Sequence, residues 1–426
     1  MLNSKIQFVL LLSAALVSEA DATDLRAYQH GIDIVPGNQA NFRIFWSSAP
    51  GDPPVGEQHK LLQPGVDCDY FIHDIYSAIV EKNSLQLQPN LLVSMPEAQE
   101  PVSATRNTAG DTLLTFEDGS DSDITSWCDG HVEQRYQVFD ANLNPLTELK
   151  TVSVAGGHSG HAALSGNLFA IAYSEGWIDG QGVDESGTGD DIHLDVVDNH
   201  GILQHHKAIA VDHGATRDDW PLVAGSKDSV LVIWQRYIED SDYANLMYSV
   251  YRPSDDRVIA GSVLLQSQVL YYHYDVQYLA DIERFVVVGN RMTDGEVPLA
   301  GHEIKVRSPQ LFGYLLDTSG QIVSQLTDNV VCTQCESYHY YAVVREAQPA
   351  ILERDSEGQV IYPVKPSGLV SLHVTAMKIQ LGDFYNHVHW WFPLGTDGIF
   401  IDSATAYFAS LSPTGIKSLS VSLLPR

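Results

Sequence analysis

The chain has 426 residues and a formal net charge of −30, with 24 Lys and Arg against 54 Asp and Glu. This acidity argues against nucleic-acid binding, which selects for clustered Lys and Arg, and it also disfavours adhesion to anionic membrane surfaces. Hydrophobic residues make up 44% of the chain, enough for a large buried core. Because the chain as a whole is so acidic, a polyanionic ligand would have to be held by a local basic patch, against the overall charge.

Residues 1–22 have the pattern of an export signal. Lys5 supplies the positive charge, an apolar run extends from Phe8 to Leu16, and Ala20-Asp21-Ala22 forms a small-x-small cleavage site. The run is too short to span a bilayer, and no later stretch approaches about 20 apolar residues. We therefore expect residues 23–426 to form one secreted or periplasmic domain, with no segment inserted in a membrane.

Short β-strand signals dominate this mature region. Runs rich in β-branched and aromatic residues are separated by Gly, Asn, Asp and Pro, and no long amphipathic helix is indicated. The strongest runs recur about every 60 residues and have seven members. They begin at Phe42, Leu113, Leu168, Val230, Phe285, Ala350 and Ile399.

A second pattern keeps step with the first. Turn sequences such as Phe139–Leu143, Val197–Gly201, Leu316–Gly320 and Leu411–Gly415 each follow one strand signal and precede another. Each unit thus contains about four strands, and this predicts an all-β, seven-bladed β-propeller of four-stranded antiparallel blades. The predicted blades are residues 24–95, 96–152, 153–211, 212–268, 269–330, 331–380 and 381–426.

In a propeller the first strand of each blade lines the central channel, so residues at the start of these strands converge. Aligning the units by their apolar runs brings Arg, His, Tyr and Asp side chains from at least five units into register. They are Arg106, His158, His161, Arg217, Asp218, Asp219, Tyr272, His273, Asp275, Tyr338, His339, Tyr340, Tyr385, His387 and His389, with His30 as a further candidate.

One chemistry that fits this set is β-elimination on an acidic polysaccharide. The reaction needs a positive group to neutralise the uronate, a base for the α-proton and an acid for the leaving oxygen. With its signal peptide, its seven units and its His/Tyr/Arg-rich channel strands, the chain resembles the secreted seven-bladed polysaccharide lyases, including those that act on ulvan. Where those lyases typically have a second His, this chain has Tyr173-Ser174-Glu175-Gly176.

The elimination hypothesis assigns a role to each candidate. Arg217 or Arg106 would neutralise the uronate, His158 or His161 would be the base, and Tyr272 or Tyr338 the acid. Two further histidines, His273 and His339, belong to the catalytic set. Arg106, His387 and His389 are assigned to substrate binding.

Two other interpretations remain open. Imidazoles from several blades could hold iron, copper or zinc on the axis, with His158, His161, His273, His339, His387 and His389 as ligands. Alternatively, the polar ring is structural, and the protein is a propeller that binds a glycan or protein, or serves as a scaffold. The ligand is then a polysaccharide or another extracellular molecule.

The remaining candidates are structural cation sites and disulfides. Cys68, Cys128, Cys332 and Cys335 favour disulfides in an exported protein, such as Cys68–Cys128 and Cys332–Cys335. Cys128 and His131 with Cys332 and Cys335 would alternatively make a zinc site. A glycine-rich acidic loop could wrap Ca²⁺ or simply be solvated. Its carboxylates are Asp179, Asp184, Glu185, Asp190 and Asp191.

Overall fold

The structure is a computed structural model of the 426-residue chain. It describes residues 32–37, 41–48, 59–61, 69–71, 74–81, 90–95, 99–118, 133–153, 157–175, 191–211, 217–238, 244–280, 282–291, 310–325, 343–345, 348–350, 353–354, 359–363, 371–375, 396–402, 405–412 and 415–423. Within these ranges no helix has the length and apolar character needed to cross a membrane.

The described residues are almost entirely β-strand. The first fourteen strands are β1 Ile32–Pro36, β2 Asn41–Ser48, β3 His59–Leu61, β4 Asp69–Phe71, β5 Asp74–Glu81, β6 Asn90–Val93, β7 Gln99–Arg106, β8 Thr112–Asp118, β9 Glu133–Phe139, β10 Lys150–Ser153, β11 Gly157–Ser165, β12 Leu168–Glu175, β13 Asp191–Val197 and β14 Leu203–Ala210. The others are β15 Asp218–Gly225, β16 Val230–Tyr237, β17 Ala244–Arg252, β18 Arg257–Leu279, β19 Arg284–Arg291, β20 Gln310–Leu316, β21 Ile322–Gln325, β22 Val343–Arg345, β23 Gln348–Ala350, β24 Glu353–Arg354, β25 Gln359–Pro363, β26 Ser371–Thr375, β27 Thr396–Asp402, β28 Thr405–Ser412 and β29 Gly415–Leu423.

Consecutive strands form four-stranded antiparallel sheets, as the sequence predicts. Sheet 1 is β1-β2-β5-β6, with the β3–β4 hairpin inserted, sheet 2 is β7 to β10, and sheet 3 is β11 to β14. The long strand β18 is shared: its first half pairs with β17 to complete sheet 4, and its second half pairs with β19 to begin sheet 5. Gln268, with φ of 57°, lies where the strand passes from one sheet to the next.

Each apolar cluster lies between two successive sheets. Phe45 packs with Leu114 between sheets 1 and 2, and Ile171 packs with Val138 between sheets 2 and 3. Trp234 packs with Leu194 between sheets 3 and 4, and the next cluster joins sheets 4 and 5. Since full burial of such a side chain contributes about 1.5–3 kcal/mol, stacking of neighbouring sheets is the main source of stability.

The first strands of the sheets are neighbours in a ring. β1 lies beside β7, β7 beside β11, β11 beside β15, and β15 beside β18, where Tyr274 on the second half of β18 donates to the Trp220 carbonyl. Strand β27 also lies beside β1. Radially stacked four-stranded sheets whose first strands surround an axis are the architecture of a β-propeller. After β21 the structure describes only the smaller sheets β22–β23, β24–β26 and β27–β29.

The predicted outer turns are confirmed in three sheets. Asp140, Asp198 and Asp317 each follow the third strand, and one carboxylate oxygen accepts backbone N–H groups two and four residues later. Such Asx turns give the backbone a local partner where the strand ends. Gly201 and Gly320 complete two of these turns with φ of 65° and 87°, values that favour glycine.

Candidate functional site

The functional candidates lie where the first strand of each sheet begins. In antiparallel sheets the start of the first strand, the end of the second and the start of the third are at the same edge. The pairs His158 with Ser174 and Asp218 with Arg236 show this in sheets 3 and 4. We call this end of the propeller the mouth.

A β-bulge interrupts the first strand of three sheets near the mouth. The pairing register shifts between Gln99 and Val102, between His158 and His161, and between Asp219 and Leu222. Ser159 and Trp220 have φ of 56° and 53°, unusual for residues with a side chain. Bulges and positive φ values of this kind re-aim side chains and concentrate at functional sites.

The bulge of sheet 3 is held by sheet 2. The N–H of Ser159 donates to Glu117 Oε1 at 2.5 Å, and the N–H of Gly160 donates to Gln134 Oε1 at 3.0 Å. Gln134 is fully buried and its amide also donates to Thr115 Oγ1. The strained backbone is thus supported by side chains of the neighbouring blade.

His158 is placed by this bulge against sheet 4. Its side chain is buried, and Nδ1 lies 2.9 Å from Ser159 Oγ and 3.7 Å from Asp219 Oδ1. A Ser-His-Asp nucleophile system would need the serine and the carboxylate on opposite ring nitrogens. Here both lie at Nδ1, so this trio is not arranged for serine catalysis.

Asp219 joins His158 to an arginine. Its Oδ1 accepts the N–H of Trp220 at 2.6 Å and the hydroxyl of Ser174 at 3.3 Å, while Oδ2 lies 3.9 Å from Arg217 Nη2. The Arg217 guanidinium lies 5.5 Å from the centroid of the Tyr237 ring, a cation–π distance. His158, Asp219 and Arg217 therefore form a continuous polar contact across two blades.

Further ion pairs flank this contact. Asp218 is fully buried and accepts two hydrogen bonds from Arg236, at 2.7 and 2.6 Å. In sheet 2, Arg135 Nε lies 2.8 Å from Asp118, and Arg135 Nη2 donates to Glu133 at 2.6 Å. Bidentate Arg–carboxylate pairs are geometrically strong, so the mouth combines fixed cations with fixed anions.

His161 follows the bulge and lies farther along the channel. Its Nδ1 lies 3.0 Å from the Ser159 carbonyl, and its ring meets Trp220 edge-on at 5.7 Å between centroids. Burial lowers the pKa of His161 to about 4, despite the opposing effect of the Ser159 and Pro221 carbonyls. The imidazole is therefore neutral at physiological pH and held by backbone groups.

A carboxylate from sheet 1 and one from sheet 5 also lie on the first strands. Asp33 Oδ2 accepts hydrogen bonds from Ser103 Oγ at 3.0 Å and from the Ala104 N–H at 2.5 Å. Burial raises the pKa of Asp275 to about 6, and the negative charge of Asp33 adds to that rise. Asp33 thus joins sheets 1 and 2 by hydrogen bonds, and its charge acts on the Asp275 carboxyl of sheet 5.

The structure corrects the placement of Arg106. It is the last residue of β7, not the first, and it donates to the carbonyls of Pro36, Gly37 and Gly110. Ser103 on β7 is level with Ala162 on β11, whose N–H donates to the Ser103 hydroxyl. Arg106 lies three residues after Ser103, and His158 lies four residues before Ala162. The two side chains are therefore about seven residues, or roughly 20 Å, apart along the channel. Arg106 therefore ties sheets 1 and 2 together at the end opposite the mouth.

The remaining predicted residues are on β13, on β18 or outside the described parts of the chain. Asp191 is the first residue of β13, and Tyr272 and His273 lie on the second half of β18, within the register shift between Val269 and Tyr274. Outside the described residues lie His30, Cys68, Cys128, His131, Asp179, Asp184, Glu185, Asp190, Cys332, Cys335, Tyr338, His339, Tyr340, Tyr385, His387 and His389. Within the described part of the chain, no group of three or more His, Cys, Asp or Glu is arranged to hold a metal ion.

Several mouth residues were not predicted from the sequence. Glu117, Gln134, Ser174, Arg236 and Tyr237 lie at the ends of second strands or the starts of third strands. The prediction considered first strands alone. Antiparallel pairing brings these other strand ends to the same edge, and this rule could have identified them.

Comparisons with known proteins are informative about the fold. No protein-family model matches the chain, and no curated protein is significantly similar in sequence. Among solved structures, the polysaccharide lyase Uly1 is 10% identical over 97% of this chain and 94% of that one, with a TM-score of 0.49.

An ulvan lyase is 11% identical over 78% of both chains, with a TM-score of 0.44. The six-bladed β-propeller lectin of Aleuria aurantia is 9% identical over 85% of this chain and 100% of the lectin, with a TM-score of 0.41. Polysaccharide lyases and lectins are thus both structurally similar to this chain. Likeness at this level concerns the fold and does not carry a functional argument.

Proposed function

We propose that this protein is an exported carbohydrate-active propeller that cleaves a uronate-containing polysaccharide by β-elimination at its mouth. The observation that carries the proposal is the contact from Arg217 through Asp219 to His158, which joins a cation and an imidazole across sheets 3 and 4. Buried charges and positive φ values cost stability, and their combination at one end of a propeller supports a functional rather than a structural role.

Each step of the elimination has a residue of suitable chemistry. Arg217 would pair with the uronate carboxylate and stabilise the negative charge that develops as the neighbouring C–H bond breaks. The proton would pass to His158, and its electron pair would form a C=C bond as the glycosidic C–O bond breaks. A tyrosine, Tyr272 or Tyr338, would protonate the leaving oxygen.

The chain beyond β21 completes the ring in this proposal. We propose that β22–β26 belong to a sixth blade and β27–β29 to a seventh, with residues 1–22 removed on export. The position of β27 beside β1 supports a closed ring in which the last sheet meets the first. A closed ring leaves the blades with only short outer edges exposed.

A second candidate is a propeller that binds a glycan without cleaving it. It is favoured by the burial of His158 and Asp219, which are 2% and 1% exposed, and by the pairing of Arg236 and Arg135 with carboxylates. A base must be within hydrogen-bonding reach of the proton that it removes. A buried imidazole meets this condition only if ligand entry exposes it.

The test is to incubate the exported protein with a panel of acidic polysaccharides, including ulvan, and to follow the ultraviolet absorbance of the unsaturated uronate. We expect the absorbance to rise with the wild type, to rise at least about tenfold more slowly with Arg217→Gln, and to be unaffected by Arg257→Gln. Arg257 lies on an outer strand, 60% exposed, and serves as the matched control.

Binding to the same panel by calorimetry separates the candidates. If a polysaccharide binds but the absorbance does not rise, the lyase function is rejected in favour of glycan binding without cleavage. If the protein neither binds nor cleaves any uronate-containing polymer of the panel, both candidates are overturned. Thermal unfolding of each variant distinguishes a lost site from a lost fold.

A further inference from the structure

We propose that Asp219 is a positioning residue that fixes the tautomer of His158, so that Nδ1 carries the proton and Nε2 is the proton-accepting nitrogen. The catalytic meaning of this inference rests on the proposed function. The tautomer itself does not, because it follows from the contacts around the imidazole.

Two side-chain oxygens lie near Nδ1 of His158. Ser159 Oγ, at 2.9 Å, can either donate to or accept from this nitrogen. Asp219 Oδ1, at 3.7 Å from the same nitrogen, is a carboxylate oxygen and can only accept. A lone pair on Nδ1 would face this negative charge, whereas an N–H would be attracted to it. The carboxylate therefore selects the Nδ1–H tautomer.

The Asp219 carboxylate is itself held in place by three groups. The Trp220 N–H and the Ser174 hydroxyl both donate to Oδ1, and Arg217 approaches Oδ2. The short bond from Trp220 lies within the bulge of sheet 4, where Trp220 adopts positive φ. The donors gathered at this bulge thus orient the carboxylate that orients His158.

The tautomer determines which nitrogen of His158 can accept a proton during the reaction. If Nε2 receives a proton from the substrate, the imidazole becomes a cation with Asp219 beside it. A buried cation is stabilised by a nearby anion. This charge develops only as the proton moves, so the contact with Asp219 accelerates the chemical step more than it strengthens substrate binding.

The inference can be tested by long-range ¹H–¹⁵N correlation spectra of ¹⁵N-histidine-labelled protein at neutral pH. The chain has 17 histidines, so His158 is assigned from the signals that disappear in His158→Gln. In the wild type we expect the nitrogen shifts of an Nδ1–H tautomer. In Asp219→Asn, whose side chain can still accept from Trp220, we expect a larger fraction of the Nε2–H form.

Glu117→Gln is the matched control. It removes one negative charge from the other side of the bulge but retains an oxygen that can accept from the Ser159 N–H. We expect it to leave the His158 tautomer unchanged. A proton on Nε2 in the wild type, or identical His158 shifts in the wild type and Asp219→Asn, would overturn the inference.

Kinetics test the catalytic part. If the wild type cleaves a uronate polymer, Asp219→Asn should lower kcat by roughly 10²-fold, within the range for general acid–base catalysis, with KM changed by less than about threefold. A variant with the altered tautomer but unchanged kcat would disprove the positioning role. A wild type with the expected tautomer and no lyase activity would disprove the proposed function alone.

Discussion

Gly160 allows the mouth bulge of sheet 3 to sit close to sheet 2. A Cβ atom at this position would overlap the side-chain amide of Gln134. That amide is buried and fixed by its bonds to Thr115 and to the Gly160 N–H, so it has little room to move. Glycine is therefore needed at position 160 because the backbone lies so close to Gln134, and not because of its φ value.

We expect Gly160→Ala to destabilise the protein by about 1–3 kcal/mol, the usual cost of overpacking a filled site. Urea unfolding, followed by tryptophan fluorescence, measures the change. Gly261 lies on β18, where an added Cβ would have no atom within 4 Å, so Gly261→Ala should change the free energy of unfolding by less than about 0.5 kcal/mol. Equal effects of the two substitutions would contradict the packing argument.

Individual residues at the mouth were only partly predictable. The sequence predicts that His158, Arg217 and Asp219 converge, and in the structure they lie in one region. Each is at or just before the start of a first strand. Arg106 was misplaced because the turn that separates β7 from β8 covers residues 107–111, whereas only Gly166 and Asn167 separate β11 from β12. Counting back from the apolar runs does not reveal this difference in turn length and shifts Arg106 towards the start of its strand. Such a shift is visible only in the pairing with the next strand.

At the scale of strands, a tyrosine on the third strand connects to the outer turn of the next blade. Tyr136 on β9 donates to the Gly201 carbonyl at 3.0 Å, and Tyr248 on β17 donates to the Gly320 carbonyl at 2.9 Å. The Gly201 carbonyl accepts a second hydrogen bond, from Lys150 Nζ. Among the described contacts, the Gly320 carbonyl accepts from one side chain, that of Tyr248. The same connection thus occurs with and without a second donor.

This difference predicts unequal effects of removing the two hydroxyls. Tyr248→Phe should destabilise by about 1–3 kcal/mol, because a buried carbonyl loses its side-chain donor. Tyr136→Phe should cost less, about 0.5–1 kcal/mol, since Lys150 remains. Urea midpoints at one pH measure both, and a larger effect for Tyr136→Phe would show that Lys150 does not support the carbonyl.

Strand order was the most predictable feature. Apolar runs beginning at Phe42, Leu113, Leu168, Val230 and Phe285 all lie on second strands, which are covered on both faces. Burial on both faces removes the polar alternation and makes such runs conspicuous. The continuity of β18 across two sheets was not predicted, since no Gly or Pro distinguishes a continuous strand from two.

At the scale of the whole molecule, the channel contains two groups whose pKa values are displaced in opposite directions. His161 has a depressed pKa, about 4, so its contribution to stability is present above its unfolded value near 6.5 and is lost as the pH falls towards 4. Asp275 has a raised pKa, about 6, so its contribution is present below about 3.8 and is lost as the pH rises through 6.

The two groups can be separated by substitution. On acidification from pH 7 to about 4.5, His161→Gln should lose less stability than the wild type. The variant has no imidazole at this site whose protonation is disfavoured in the folded state. Asp275→Asn should lose more on the same change, because the wild type regains the Asp275 contribution. Urea midpoints at the two pH values test this, and parallel behaviour of all three proteins would contradict the assignment.

The meeting of β1 and β27 has a consequence for how the molecule is made. These strands are separated by more than 350 residues of sequence, and contacts of such range form slowly because much of the chain must be ordered first. Ring closure must therefore wait until residues beyond 396 have been synthesised and are free to fold. Until then β1 lacks its neighbour β27, and this part of sheet 1 is exposed. Protection of the growing chain by chaperones matters most during this interval.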